Sequence, residues 1–279
     1  MSSFLKLGLC LGLGTLFLAG CNNSNPQAST PTKDGERNLV IATEANYPPF
    51  NNTTSDGKIV GFDVDVMNAI CAEIKADCTI ISQDWDGLLP GLLTQKYDAV
   101  IAGMSITPER LQQVDFSEPY FSNTIVWLAK NDGSFDHNNI KNLVLGSQRA
   151  TTGADYITQK YDGKDGNRVQ LYDTYTNAYL DLKAGRNHAV MAEKVSANDW
   201  LAQNNQDFGL IGDEIDNNDN LGIAVRKGDP LKAEFDQALA TLKANGKLAE
   251  LERANFSTQT AKDTPETQTP TETQATTKE

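Results

Sequence analysis

The stretch Leu39-Val40-Ile41-Ala42-Thr43-Glu44-Ala45-Asn46-Tyr47-Pro48-Pro49-Phe50 opens the folded part of the chain. Its first five residues are aliphatic or β-branched and predict a strand over Leu39 to Thr43, and the two prolines beyond it cannot continue a ladder. A helix is predicted from about Asp63, with Val66, Met67, Ile70, Cys71 and Ile74 on one face at helical spacing. The alternation then repeats. Strands are predicted over Cys78 to Ser82, Ala99 to Ala102, Thr124 to Ala129, Leu143 to Gly146, Val169 to Tyr172 and Ala189 to Ala192. Helices are predicted over Leu88 to Thr94, through Tyr179 and Leu182 to a stop at Gly185, near Ser196 to Gln203, and over Leu231 to Asn245. Short connections between such elements favour parallel sheets, so the fold class is α/β. Alternation alone leaves the number of lobes open.

A chain of 279 residues, 39% hydrophobic and 22% charged, can hold one large core or two modest ones. Its formal charge of −13, with no cluster of Lys and Arg, argues against a nucleic-acid partner and mildly suits a cationic ligand. The first twenty residues read as an export signal that is removed. Lys6 supplies the positive end, and Leu7 to Ala19 form an apolar run too short to span a bilayer comfortably. The run ends in Leu18-Ala19-Gly20-Cys21, which resembles a bacterial lipobox. That resemblance implies a diacylglycerol on the Cys21 sulfur and a membrane-anchored protein of the periplasm or cell surface. Residues 21–37 and 257–279 are rich in Asn, Ser, Thr, Gln, Glu and Pro, so they are expected to be a flexible tether and a disordered tail. Cys71 and Cys78 remain as a pair, either a disulfide from the end of a helix to the next strand or two buried thiols. His137 and His188 are isolated, and no metal cluster, cofactor motif or nucleophile-and-base pair is visible, so no metal, no cofactor and no catalysis are expected.

Thr107-Pro108-Glu109-Arg110 reads as an N-cap, a proline at the first helical position and an acidic first turn. The free backbone N–H groups of such a helix start favour an anion, and Arg110 adds a planar, two-pronged partner for a carboxylate. The plainer alternative is an ion pair between Arg110 and a surface Asp or Glu.

Four stretches in series are Ala42 to Phe50, Val60-Gly61-Phe62-Asp63-Val64-Asp65, Ala102-Gly103-Met104-Ser105-Ile106-Thr107-Pro108-Glu109-Arg110 and Ala150-Thr151-Thr152. By their order and spacing the chain resembles the amino-acid-binding proteins of bacterial ABC importers from about Asn38 to Phe256, and most of all their arginine-binding and lysine/arginine/ornithine-binding members. The resemblance implies the type II periplasmic-binding-protein fold: two lobes, each a mainly parallel sheet flanked by helices, joined by a two-strand hinge. Residues 38–121 plus 221–256 would form lobe one, and 122–220 lobe two. It implies that Arg110 takes an α-carboxylate with help from Thr152, that Glu193 on the opposite lobe takes the α-ammonium, and that Ser105 and the backbone of Ala102, Gly103 and Met104 add polar contacts. Family members often carry Asp where Glu193 stands. Glu44, Tyr47 and Trp85 are expected to choose the side chain, with a guanidinium flanked by the two rings and neutralised by Glu44. Arginine fits that trio best, then lysine, ornithine or histidine. The implied partner is an ABC permease of the inner membrane, served by a monomer. The alternatives are a dehydratase-type enzyme on the same scaffold and an amino-acid-sensing surface lipoprotein.

Overall fold

The computed structural model of the protein describes residues 37–260. The export signal, Cys21, the tether up to residue 36 and the tail from residue 261 lie outside the described residues. Among the described residues no helix is long and apolar enough to cross a membrane.

The first predicted strand forms as Arg37–Thr43 and pairs parallel with Ala76–Ser82 on one side and Ala99–Val100 on the other. Ala224–Arg226 and Val114–Phe116 complete this five-stranded sheet by antiparallel pairing. Both faces are covered, which is why the first strand reads as a continuous apolar run. Leu39 and Ile41 pack with Phe62, Met67, Ile70, Phe235 and Leu239 from the helices Phe62–Glu73 and Leu231–Ala244. Ala42 faces the other way, onto Leu88 and Leu92 of the helix Leu88–Leu93.

A second five-stranded sheet runs Arg168–Tyr172, Val144–Gln148, Ala189–Glu193, Phe121–Lys130, Phe208–Leu221. Its first three strands are parallel and the last two antiparallel. The two long strands pair from Leu221 against Phe121 at one end to Phe208 against Lys130 at the other. At the first end they join the other sheet's lobe, because Ser105 bridges Leu221 and the Ile106 amide donates to the Asn220 carbonyl at 2.8 Å. These strands are therefore the two connections between lobes.

Sequence periodicity misses Phe208–Leu221, since Asp213-Glu214-Ile215-Asp216-Asn217-Asn218-Asp219-Asn220 reads as a polar loop; the strand exists because Phe121–Lys130 offers it a ladder. It also misses the C-terminal helix Lys247–Thr260, whose Phe256 is buried against Phe50, Phe62 and Phe121 with ring centroids 5.4, 4.8 and 5.4 Å away. That helix extends past residue 257, where the tail was expected to start.

The segment from Asn46 to Val60, whose short strands Asn46–Tyr47, Asn51–Thr53 and Ile59–Val60 pair antiparallel, is pinned by a buried carboxyl. Asp63 accepts from the Tyr120 hydroxyl at 2.7 Å and from Asn51 Nδ2 at 2.8 Å. Burial pushes its pKa up to about 6, against the pull of those two donors. Gly61, at φ 126°, lets the chain pass there: a β-carbon would stand 2.4 Å from the Phe50 carbonyl oxygen.

Cys71 and Cys78 are joined, tying the helix Phe62–Glu73 to the strand Ala76–Ser82 across seven residues. Closing so short a loop restrains the unfolded chain by roughly 2 to 3 kcal/mol. The Cys71→Ser, Cys78→Ser protein is expected to lose about that much stability in urea unfolding at an unchanged m-value, while keeping its ligand affinity.

Candidate ligand-binding site

The carboxyl ends of the central strands of both sheets meet at one cleft. Glu44 leaves Arg37–Thr43 and is turned by Ala45, which takes φ 58° and whose amide is held by Asn51 Oδ1 at 2.8 Å. Only 6% exposed, Glu44 accepts from Gln148 Nε2 of the opposite lobe at 2.8 Å. Burial pushes its pKa up to about 7; the Gln148 bond opposes this, and Glu193, Asp84 and Asp86 reinforce it. Glu44 and Trp85 border a cavity of about 630 Å³ that also holds Asp84, Asp86, Asp173 and Arg149.

Tyr47 stacks between Phe50, 5.1 Å away with planes 7° apart, and Tyr175 of the other lobe at 5.9 Å. Gly103 makes room for its ring. At φ 59°, a β-carbon on residue 103 would lie 2.7 Å from Tyr47 Cε1, with the neighbours Ala102, Met104 and Ser105 all buried. Gly103→Ala combines backbone strain with displacement of Tyr47, and is expected to weaken ligand binding by about tenfold in calorimetry.

Trp85 sits on the single turn Trp85–Gly87 and donates through Nε1 to the Arg149 carbonyl at 3.1 Å. Its face carries the guanidinium of Arg110, with Cζ 5.4 Å from the ring centroid. Tyr47 thus has ring neighbours on two sides, and Trp85 faces the protein's own cation.

Arg110 begins a helix of one turn, Arg110–Gln113, which ends because Val114 already enters a strand. The capping bond expected from Thr107 forms, from the Arg110 amide to Oγ1 at 3.2 Å. One turn sums little dipole, so the anion-attracting charge here is the guanidinium itself. Nη1 donates to the Ser105 carbonyl and Nη2 to the Ala150 carbonyl of the other lobe, each at 2.7 Å. No ion pair to a surface carboxylate forms at Arg110 among the described residues. Burial lowers its pKa, while Asp219, Asp155, Glu193 and Glu109 hold it up.

From the second lobe, Thr151 caps the helix Thr152–Tyr161, accepting from the Ala154 amide at 3.1 Å, and Thr152 Oγ1 is buried with no hydrogen bond. Glu193 ends the strand Ala189–Glu193 and is 4% exposed, so the extra methylene points inward and not to solvent. Burial and then Asp219 push its pKa up to about 7, while the Tyr175 and Tyr47 hydroxyls favour the anion. Its Oε2 completes no hydrogen bond.

The lobes also touch along three consecutive residues, of which sequence reasoning passed over the first two: Gln148 on Glu44, Arg149 on Trp85 and on Asp86 at 2.8 Å, and Ala150 on Arg110. Arg149 also pairs with Asp173. Their position directly before Thr151-Thr152 was the available signal. Asp219, on the hinge strand, is the other residue missed, hidden in the polar run.

The profile of bacterial extracellular solute-binding proteins, family 3, matches residues 39–258. The ABC transporter arginine-binding protein 1 of Escherichia coli strain K12 is 38% identical over 213 residues, covering 75% of this chain and 86% of that protein. A solved ancestral arginine-binding protein bound to arginine matches with a TM-score of 0.74 at 34% identity, over 78% of this chain and 98% of that one. An ancestral amino-acid-binding protein described as a precursor of cyclohexadienyl dehydratase matches with a TM-score of 0.70 at 28% identity, over 78% and 95%.

Proposed function

Because the chain belongs to the bacterial extracellular solute-binding proteins of family 3, we propose that it captures a free cationic L-amino acid, arginine ahead of lysine, ornithine and histidine, and delivers it to the permease of an ABC importer. The observation that carries the cationic choice is Glu44, a buried carboxyl with no ion-pair partner among the described residues, opening onto a cavity where Asp84, Asp86 and Asp173 face the single cation Arg149, which pairs with Asp86 and Asp173. A guanidinium or ammonium there meets the charge that Gln148 alone does not neutralise. The other end of the ligand is divided between lobes, its carboxylate to Arg110 and Thr152 and its ammonium to Glu193. Both contacts exist together only when the lobes meet, so the ligand favours the closed form by the whole of that difference. Ligand-driven closure in such proteins is a standard example of hinge motion.

The same reading takes residues 38–121 plus 221–256 as lobe one and 122–220 as lobe two, with a lipid on Cys21 holding a monomer to the membrane. Calorimetric titration with the twenty common amino acids plus ornithine tests the ligand. Heat from arginine, with weaker responses from lysine and ornithine, is expected; silence from every cationic amino acid rejects the proposal. Mass spectrometry of the membrane-extracted protein, with and without Cys21→Ala, checks the anchor.

The dehydratase alternative has one supporting observation, the raised pKa of Glu193, which suits a general acid. The charge of the site opposes it. Asp219, Asp155, Glu193 and Glu109 all act on Arg110, a poor setting for a dianionic prephenate-like acid. No turnover of such an acid is expected in a chromatographic assay.

A further inference from the structure

Asp219 has no role in the reading above, yet it is the most thoroughly enclosed carboxylate of the hinge. It is 3% exposed, and neither oxygen completes a hydrogen bond. It stands in register opposite Asn123 of the other connecting strand, whose Nδ2 is also buried without a partner. The ladder slips between Ile215 and Asp219, and Asn218 takes φ 55°; bulges of this kind re-aim a side chain. Here the turn ends an exposed polar run and sends Asp219 inward.

Its surroundings define the end of the cleft it reaches. Ser105 is near enough for its hydroxyl to favour the anion, and Arg110 is the cation that stabilises it. Asp219 is in turn the largest charge acting on Arg110 and on Glu193. One carboxylate thus interacts with the arginine of the first lobe and the glutamate of the second.

The charge count there is one cation against two carboxylates. An α-amino acid adds a carboxylate, which claims Arg110, and an ammonium with three donors. Glu193 offers Oε2, and the two unbonded oxygens of Asp219 are further buried carboxylate acceptors that act on it. We propose that Asp219 is a specificity-determining residue that shares the α-ammonium of the ligand with Glu193, so that the protein selects α-amino acids over carboxylic acids lacking that group. The inference rests on the amino-acid-binding reading and adds to it a third charged contact, supplied by the hinge and not by either lobe face.

The test uses Asp219→Asn, which keeps the shape of the side chain, and two ligands, arginine and its desamino analogue 5-guanidinopentanoate, at about pH 8. The variant is expected to bind arginine roughly 10- to 100-fold more weakly, as for loss of a charge-assisted hydrogen bond, and the desamino analogue within about threefold of the parent protein. Equal losses for both ligands would make Asp219 a positioning group for Arg110 and overturn the proposal, as would no loss for either. If the variant does not fold, the parent protein crystallised with arginine decides. An Asp219 oxygen within hydrogen-bond distance of the α-nitrogen upholds the contact; Asp219 turned only onto Ser105, Arg110 or Asn123 removes it. A parent protein that binds no amino acid brings down the functional reading first, and the two failures are thereby told apart.

Discussion

Arg110→Ala is expected to abolish arginine binding at any practical concentration, a loss of about 1,000-fold or more, equivalent to about 4 kcal/mol. The guanidinium is the charge suited to an α-carboxylate, and its neighbours leave it little else to do: its two bonds go to neutral carbonyls, of Ser105 and Ala150. Removing it takes away the fork that meets both carboxylate oxygens, the bond to Ala150 that spans the lobes, and the stack on Trp85. Arg110→Lys keeps the charge but not the fork, and should recover only about tenfold of the loss. Agmatine, which lacks the carboxylate, separates the two contributions. If Arg110 serves the carboxylate, agmatine binds parent and variant alike; if Arg110 serves mainly closure, agmatine suffers too. Retention of arginine binding within tenfold in Arg110→Ala would show that the carboxylate is held elsewhere.

The sequence carried the parts of the fold that bury on both faces. Leu39 to Thr43 and Ala189 to Ala192 are apolar runs because helices cover both sides of their sheets, and such runs are visible without any knowledge of neighbours. The strand Phe208–Leu221 is the opposite case. Gly212, Asp213, Glu214, Asp216 and Asn218 are exposed, so no pattern marks the segment, and its conformation comes from pairing with Phe121–Lys130. The same masking hid Asp219. Site residues showed a similar split. Arg110 and Glu44 stood out as candidates because one opens and the other directly follows a readable element, whereas Glu193 was a candidate by family resemblance alone. The geometry around Trp85 could not, because it depends on the meeting of two lobes: Trp85 faces Arg110 from its own lobe and Arg149 from the other. Thr107-Pro108-Glu109 signalled a helix start correctly, but nothing local announced that Val114 would end the helix after one turn.

Glu44→Gln is expected to weaken arginine by about 100-fold, or about 2.7 kcal/mol, and to leave glutamine and other neutral ligands nearly unchanged, so that cation preference collapses. The larger consequence is in the pH dependence. In the folded protein Glu44 and Glu193 both have pKa values of about 7, raised by burial, whereas free carboxyls of this type titrate near 4.5. A folded-state pKa above the unfolded one means that the protein alone is favoured below about pH 4.5 and loses that advantage as pH rises through about 7. Asp63, raised to about 6, acts in the same direction over a lower window. A bound cation reverses the effect, since it favours the ionised carboxyl and expels the proton. Arginine affinity should therefore rise between about pH 6 and about pH 8, by roughly tenfold for each of Glu44 and Glu193, with Asp219, whose pKa burial also raises, acting in the same direction. Proton release follows, and is read from the dependence of the calorimetric enthalpy on buffer ionisation. In Glu44→Gln the contributions of Glu193 and Asp219 remain, so the roughly tenfold share of the pH dependence that belongs to Glu44 should vanish together with the cation preference. A variant that lost affinity but kept the full slope would mean that Glu44 shapes the cleft without meeting the ligand's charge, and that the cationic choice is made by Asp84, Asp86 and Asp173 at its mouth.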